Sequence, residues 1–280
     1  MQVKEALGKT VELLKDTSNT SMLDARLLLG SALSLSPEQL LLNYNTELTK
    51  EDEYQFFKLV ERRQIQEPMA YIVGVKEFYG QEFLVNKDVL IPRPDTELLI
   101  DVMIKSTLGK DSVEILELGT GSGAICVSLA LEIITAQIVA TDISQAALDV
   151  ARQNAKKHNV LDQISFIQSD WYTDIGNKKY DYIVSNPPYI ASNEQDKMAV
   201  ETSLYEPHLA LYAADNGLSE YRTIIESAKK YLNPMGKLIV EIGYRQNEVI
   251  MNLMQQNNFQ NIKTYQDLAG HDRVITADCV

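Results

Sequence analysis

From Arg93 to the carboxyl terminus the sequence predicts an α/β domain, a mostly parallel sheet covered by helices on both faces. A small helical bundle and a β-hairpin connector precede it. Three observations carry this expectation. Short apolar runs alternate with helical stretches after Arg93. A glycine-rich turn, Glu117-Leu118-Gly119-Thr120-Gly121-Ser122-Gly123, closes the first of those runs. The first 65 or so residues carry helix-start signals and almost no strand signals. The expected divisions are a helical domain over 1–70, a connector over 71–92 and the α/β domain over 93–280.

In the first part, Val3, Leu7, Val11 and Leu14 form a helical stripe. Ser21 with Asp24 three residues on resembles a capping box ahead of MLDARLLLGSAL. Ser36-Pro37 sets an N-cap before a proline at the first helical position. Thr49 to Asp52 repeats the start signal before EYQFFKLVERRQI. Four short helices result, and their apolar stripes are explained as core. The stretch 67–92 turns rich in β-branched and aromatic residues, with Gly74 and Gly80 as breaks, and reads as a hairpin connector.

In the second part, strands are expected at VEILEL (113–118), QIVATD (137–142), ISFIQS (164–169), YDYIVSN (180–186) and GKLIVEI (236–242). Helical stretches fall at 95–107, 123–133, 145–158, 219–232 and 246–257. NIKTYQD and DRVITADCV end the chain as two more strand-like segments. In such sheets ligands bind at the carboxyl ends of the strands.

Composition excludes several classes. The 280 residues are 45% hydrophobic and 23% charged, ordinary for a globular enzyme. The net charge of −13 argues against broad contact with a nucleic acid backbone, so no direct nucleic-acid partner is expected. The two cysteines, Cys126 and Cys279, lack a CxxC neighbour, and the three histidines lie far apart. No metal site and no disulfide are expected, which fits a reducing cytoplasm. The amino terminus lacks the apolar core of a signal peptide. Glu132 interrupts the most apolar stretch, from Leu118 towards Ala140, so no membrane partner is expected. No exposed heptad stands out, and a monomer is expected.

The glycine turn reads G-x-G-x-G and contains no lysine, so neither the dinucleotide fingerprint nor the phosphate loop fits. Close helix–strand packing alone would also account for such glycines. Asp142 ends the second strand, about twenty residues further on, where a carboxylate can accept from both ribose hydroxyls. The bland alternative is a helix cap, for which Ser144 competes. Asp170 and Trp171 follow the third strand. Asp170 can accept from an adenine amino group and Trp171 can pack on the ring, or Trp171 can simply fill core. Loop, acid and aromatic at three successive strand ends fit a nucleoside without a pyrophosphate, and S-adenosylmethionine is such a ligand.

Asn186-Pro187-Pro188-Tyr189 follows the fourth strand. The prolines end the ladder and stiffen the loop. They offer carbonyl acceptors without donors. The Pro187 carbonyl and the Asn186 side-chain oxygen can therefore hold the two hydrogens of a planar NH2 group, with Tyr189 as a nearby aromatic face. Positioning of that kind contributes on the order of 7 kcal/mol to a barrier.

These stretches resemble the HemK/PrmC family of release factor glutamine N5-methyltransferases. EPMAYIVGVKEFYG, IPRPDTELLI, ELGTGSGAI, ATDIS, SDWY, NPPYI, YEPHLAL and DLAGHDRV carry the resemblance over essentially the whole chain. It implies a class I S-adenosylmethionine-dependent methyltransferase fold, Rossmann-like, with a seven-stranded sheet. It also implies methylation of the glutamine in the Gly-Gly-Gln loop of class I release factors, with the helical domain helping to bind the factor. Carried onto this chain, it places the cofactor on Glu117, Gly119, Thr120, Gly121, Ser122, Gly123, Asp142, Asp170, Trp171 and Asn186. Asn186, Pro187, Pro188 and Tyr189 would hold the glutamine. Glu117 stands where many relatives carry Asp. Arg93, Glu97, Glu206 and Arg273 receive no role. An adenine-N6 methyltransferase is the alternative, since adenine presents the same NH2 group.

Overall fold

The computed structural model describes the backbone of residues 1–280 and the side chains of all but Ser192 and Lys197. The chain divides into two compact units: Met1–Val75 with Ala199–Tyr205, and Lys76–Met198 with Glu206–Val280.

The first unit is built on α1 (Val3–Leu14), α2 (Ser21–Leu33), α3 (Pro37–Leu42) and α4 (Lys50–Gln64), with a short α5 (Met69–Val73). Leu7, Leu14, Leu28, Leu29, Phe56 and Val60 form its buried core. Each such side chain contributes about 1.5–3 kcal/mol on leaving water. Ser36 and Thr49 cap α3 and α4 as their sequences predict, each accepting from the backbone N–H three residues on. Asp24 departs from the expected capping box. Thr20 is the N-cap, and the Asp24 carboxylate is buried, accepting from Thr20 Oγ1 at 3.1 Å and from Arg63 Nε at 2.7 Å. A buried guanidinium needs a counter-charge, and that need outweighs local capping. α5 takes residues expected to open the connector, and the hairpin is confined to β1 (Val75–Phe78) and β2 (Gln81–Leu84). Its two turn residues, Tyr79 and Gly80, have φ of 50° and 69°, the sign that two-residue hairpin turns require.

The second unit carries β3 (Val113–Leu118), β4 (Ala136–Asp142), β5 (Ile164–Gln168) and β6 (Tyr180–Ser185). Between them run α6 (Glu97–Thr107), preceded by a 3-10 turn at Pro94–Thr96, then α7 (Ala124–Glu132) and α8 (Gln145–Lys157). The stretch after β6 holds short elements that sequence periodicity does not reveal: β7 (Ile190–Ala191), α9 (Val200–Tyr205), α10 (His208–Leu211), β8 (Tyr212–Ala213) and a distorted turn, α11 (Ala214–Gly217). Within this stretch, α9 belongs to the first unit. There Glu201 pairs with Arg63 Nη1 at 2.7 Å, and the Tyr205 hydroxyl donates to the Ile65 carbonyl at 2.6 Å. The chain ends through α12 (Ser219–Tyr231), β9 (Leu232–Glu241), α13 (Asn247–Gln256), β10 (Gln260–Gln266) and β11 (Asp272–Asp278).

The seven-stranded sheet has the order β10-β11-β9-β6-β3-β4-β5. β9, β6, β3, β4 and β5 are mutually parallel, and β11 is antiparallel to both β9 and β10. Side chains alternate between two cores, one per face. Ile115, Tyr182, Val184 and Ile239 enter the core beneath α6 and α7, whereas Leu116, Ile183, Leu238 and Val240 enter the core beneath α12 and α13. Both faces are apolar, which is why these strands read as continuous hydrophobic runs. β9 begins four residues before the expected Gly236 start. Leu232 pairs with Tyr180, a register break follows, and Lys237 resumes against Tyr182. Pro234 falls in that break, where no ladder donor is lost.

Among the described residues, no helix is long and apolar enough to cross a membrane.

Candidate active site

Chain order reverses at β3: β4 and β5 extend the sheet to one side, β6 and β9 to the other. A cleft of about 240 Å³ opens at the carboxyl ends of these strands. That is the expected crevice of an open parallel sheet. Gly119 and Gly121 line it after β3, Asp142 at the end of β4, Asp170 and Trp171 after β5, and Asn186 and Pro188 after β6. Seven of the sequence-predicted residues thus meet in one place.

The Asp142 carboxylate is held by backbone donors. Its Oδ2 accepts from Gly121 N at 2.9 Å and its Oδ1 from Ser144 N at 2.9 Å. Burial raises its pKa, and the hydrogen bonds from Ser144, Gly121 and Ile143 pull it back. Ser144 itself caps α8, accepting from Ala147 N at 3.2 Å. Asp142 is therefore not the cap, and each of its oxygens keeps a lone pair for a ligand. Trp171 is half-buried, with φ of 49°, and its Nε1–H donates to Glu220 Oε2 at 2.9 Å, so the ring is fixed beside the cleft.

The remaining loop residues stand behind the cleft. Gly123 opens α7 at φ 79°, where a Cβ would lie 2.9 Å from the Ala151 Cβ. This glycine is required by helix packing. Thr120 and Ser122 are buried. Glu117 is fully buried; its Oε2 accepts from Thr120 Oγ1 at 2.7 Å, while Oε1 has no partner. Burial, reinforced by the Asp142 charge, pushes its carboxyl up to about 7 against the hydrogen bond from Thr120.

On the other side, Asn186 Nδ2 donates to Thr96 Oγ1 at 3.1 Å. Pro187 is buried, and Tyr189 lies half-buried beyond it. The Tyr189 carbonyl accepts from Gln246 Nε2 at 3.1 Å. A Cβ on Gly217 would come within 2.1 Å of that carbonyl oxygen, so only glycine fits there. Burial, with the Glu241 charge adding to it, pushes the Tyr189 phenol up to about 12, and it stays protonated. Glu241, at the end of β9, is also fully buried and is pushed up to about 7, chiefly by burial.

The residues left without a role are engaged in structure. Glu206 accepts from Arg93 at 2.5 Å and from Ile91 N at 3.1 Å. Arg273 pairs with Asp95 at 2.7 Å and Asp267 at 2.9 Å. Glu97 accepts from Tyr79 N at 2.9 Å. Sequence reasoning missed Glu220, Tyr212 and Val89 on the cleft wall and Thr96 and Glu241 behind Asn186. Only the YEPHLAL stretch flagged any of that wall, through Pro207, Leu209 and Ala210.

Residues 94–271 match the family described as "Methyltransferase small domain", and residues 5–74 match "PrmC N-terminal domain". A release factor glutamine methyltransferase of Coxiella burnetii is 39% identical over 277 residues, 99% of each chain. The chain belongs to this family. The corresponding enzyme of Francisella tularensis is 41% identical, over 91% of this chain and 89% of its own. A bifunctional methyltransferase of Rickettsia felis is 44% identical over 98% of this chain, which spans 57% of that longer relative. Among solved structures, a methyltransferase from Pyrococcus furiosus superposes with a TM-score of 0.54 at 17% identity, covering 73% of this chain and 91% of that one. The hMettl16 catalytic domain gives 0.59 at 16% identity, covering 82% of each chain. These likenesses extend to the fold.

The residues present fit the methyl donor that this family and fold imply. Asp142 offers spare lone pairs for ribose hydroxyls, and Trp171 offers an oriented ring.

Proposed function

We propose that the chain transfers a methyl group from S-adenosylmethionine to the side-chain amide nitrogen of the glutamine in the Gly-Gly-Gln loop of class I release factors. The observation that carries this reading is the orientation of Asn186. Its amide nitrogen is engaged by Thr96, and the residue lines the cleft opposite Gly119 and Asp142. That leaves Oδ1 as the acceptor available to a substrate.

When bound, S-adenosylmethionine supplies the methyl group as an electrophile. Asp142 would hold the ribose, and Asp170 with Trp171 the adenine. Glu117, with Thr120, Ser122 and the turn from Gly119 to Gly123, would frame the amino-acid end. Asn186 Oδ1 and the Pro187 carbonyl would accept the two hydrogens of the glutamine amide, aiming its nitrogen and enriching its electron density. Pro188 and Tyr189 would wall that amide. The surplus amide proton leaves to water, so no strong base is required, and the protonated Tyr189 is not one. The helical unit would recognise the factor. We place this activity in the cytoplasm, in a monomer, without a nucleic-acid partner.

The test supplies methyl-labelled cofactor with an intact class I release factor, with the same factor carrying Gln→Ala in its Gly-Gly-Gln loop, and with an adenine-containing duplex. Label on the intact factor alone supports the reading. Label on the duplex replaces it with adenine-N6 chemistry.

A further inference from the structure

An asparagine carboxamide has a donor end and an acceptor end of nearly the same shape. Turned the wrong way, Asn186 would point N–H donors at the N–H donors of an incoming amide. Something must therefore hold it, and three elements converge behind it. The parallel register pairs Ser185 with Val240, so the next residues along the two strands are Asn186 and Glu241. Thr96 arrives from the 3-10 turn before α6. Its Oγ1 accepts from Asn186 Nδ2 at 3.1 Å. Thr96 is 5% exposed and Glu241 1% exposed, so water does not compete there. Thr96 and Asn186 both favour the charged form of the Glu241 carboxyl. The second carboxyl oxygen, Oε2, has no partner at all.

A buried carboxyl with an orphaned oxygen weakens a fold. Packing gains nothing from it that a glutamine or leucine would not supply. We propose that Thr96 and Glu241 are positioning residues that lock the Asn186 carboxamide with Oδ1 towards the substrate amide. The proposal rests on the methyl-transfer reading above for the identity of that amide, but the lock itself is a property of the protein alone.

The lock depends on the charge of Glu241. Arg273 on β11 lowers its pKa, and Asp95 in the 3-10 turn raises it. Tyr189 and Tyr221 face it as neutral phenols, and the Tyr221 hydroxyl donates to the Glu241 backbone carbonyl at 2.8 Å. Burial dominates and brings the carboxyl to about 7. The acceptor form is gained as pH rises through that value, so kcat should rise between pH 6 and pH 8, as ~6 and ~8 bracket the transition.

The experiment compares the full chain with Thr96→Val, Thr96→Ser and Glu241→Gln, using labelled cofactor and a class I release factor. Thr96→Val and Glu241→Gln should lower kcat about tenfold or more, with cofactor affinity changed by less than about threefold. Thr96→Ser should restore at least about half of kcat, because it keeps the hydroxyl. Glu241→Gln should flatten the pH limb. Wild-type kcat and pH dependence in Thr96→Val and Glu241→Gln would overturn the proposal, as would parallel loss of kcat and cofactor binding. A second readout needs no substrate: the Asn186 side-chain amide resonances of the wild type should titrate near neutral pH, and Glu241→Gln should abolish that titration. Should the wild type label no release factor, the substrate reading fails while this titration still decides the lock. A titrating amide upholds it, and an amide indifferent to pH overturns it.

Discussion

Glu117 and Glu241 stand at the carboxyl ends of the two strands that flank β6, and they look alike at first. Both are fully buried, both are pushed up to about 7 chiefly by burial, and both keep one orphaned oxygen. Their partners differ. Glu117 is held by Thr120, three residues along its own loop, and feels the charge of Asp142. The charged form of Glu241 is favoured by Thr96, Asn186 and Arg273, all distant in sequence, and disfavoured by Asp95. The first carboxyl thus belongs to the glycine turn after β3. The second belongs to the NPPY side. The burial is alike, and it is the partners rather than the pKa that distinguish the two.

The contrast between the two carboxyls has measurable consequences. The largest concerns the residue Glu241 supports. Asn186→Ala should lower kcat by about a hundredfold or more, the usual cost of losing one preorganised group aimed at developing charge. Its effect on cofactor affinity, measured by calorimetry, should be much smaller; equal losses would contradict the acceptor model. Next, the two glutamates should separate kinetically. Glu117→Gln should weaken cofactor binding about tenfold, or ~1.4 kcal/mol, while Glu241→Gln acts on kcat. If both variants changed the same constant, the contrast would collapse.

The third prediction is a packing control. Gly123→Ala places a Cβ 2.9 Å from Ala151 at φ 79°. It should cost about 1–3 kcal/mol of stability in denaturant titrations. Loss of cofactor affinity at full stability would instead make this glycine part of the binding surface. The fourth follows from linkage. A carboxyl whose folded pKa is raised stabilises the fold fully below the unfolded value, near 4.5, and that contribution is lost as pH rises through about 7. Glu117→Gln and Glu241→Gln should therefore each stabilise the protein at pH 8, by on the order of 1 kcal/mol or more, with far less gain at pH 5. Thermal midpoints at the two pH values check the sign.

Much of this was legible in the sequence. Strand period, glycine spacing, the acid ending QIVATD and the two prolines after YDYIVSN each have a local physical cause, so each placed its element or wall of the cleft. What could not be read locally was tertiary pairing. Asp24 has the spacing of a capping residue, yet Arg63 claims it across the helical unit. Glu201 lies beyond the NPPY loop in sequence and joins that same arginine. Thr96 and Glu241 stand behind Asn186 because β6 and β9 pair and a 3-10 turn folds over them, and no periodicity announces that. Glycine spacing also cannot distinguish close approach of a ligand from close approach of a helix. Gly119 and Gly121 face the cleft, whereas Gly123 faces Ala151.

The central claim is that Asn186 presents an acceptor to a glutamine amide. Mass spectrometry of a class I release factor, after incubation with S-adenosylmethionine and either wild-type protein or Asn186→Ala, tests it most directly. The account predicts one added methyl group on the Gly-Gly-Gln glutamine with the wild type and essentially none with the variant. Methylation at another residue, or equal methylation by the variant, would contradict it.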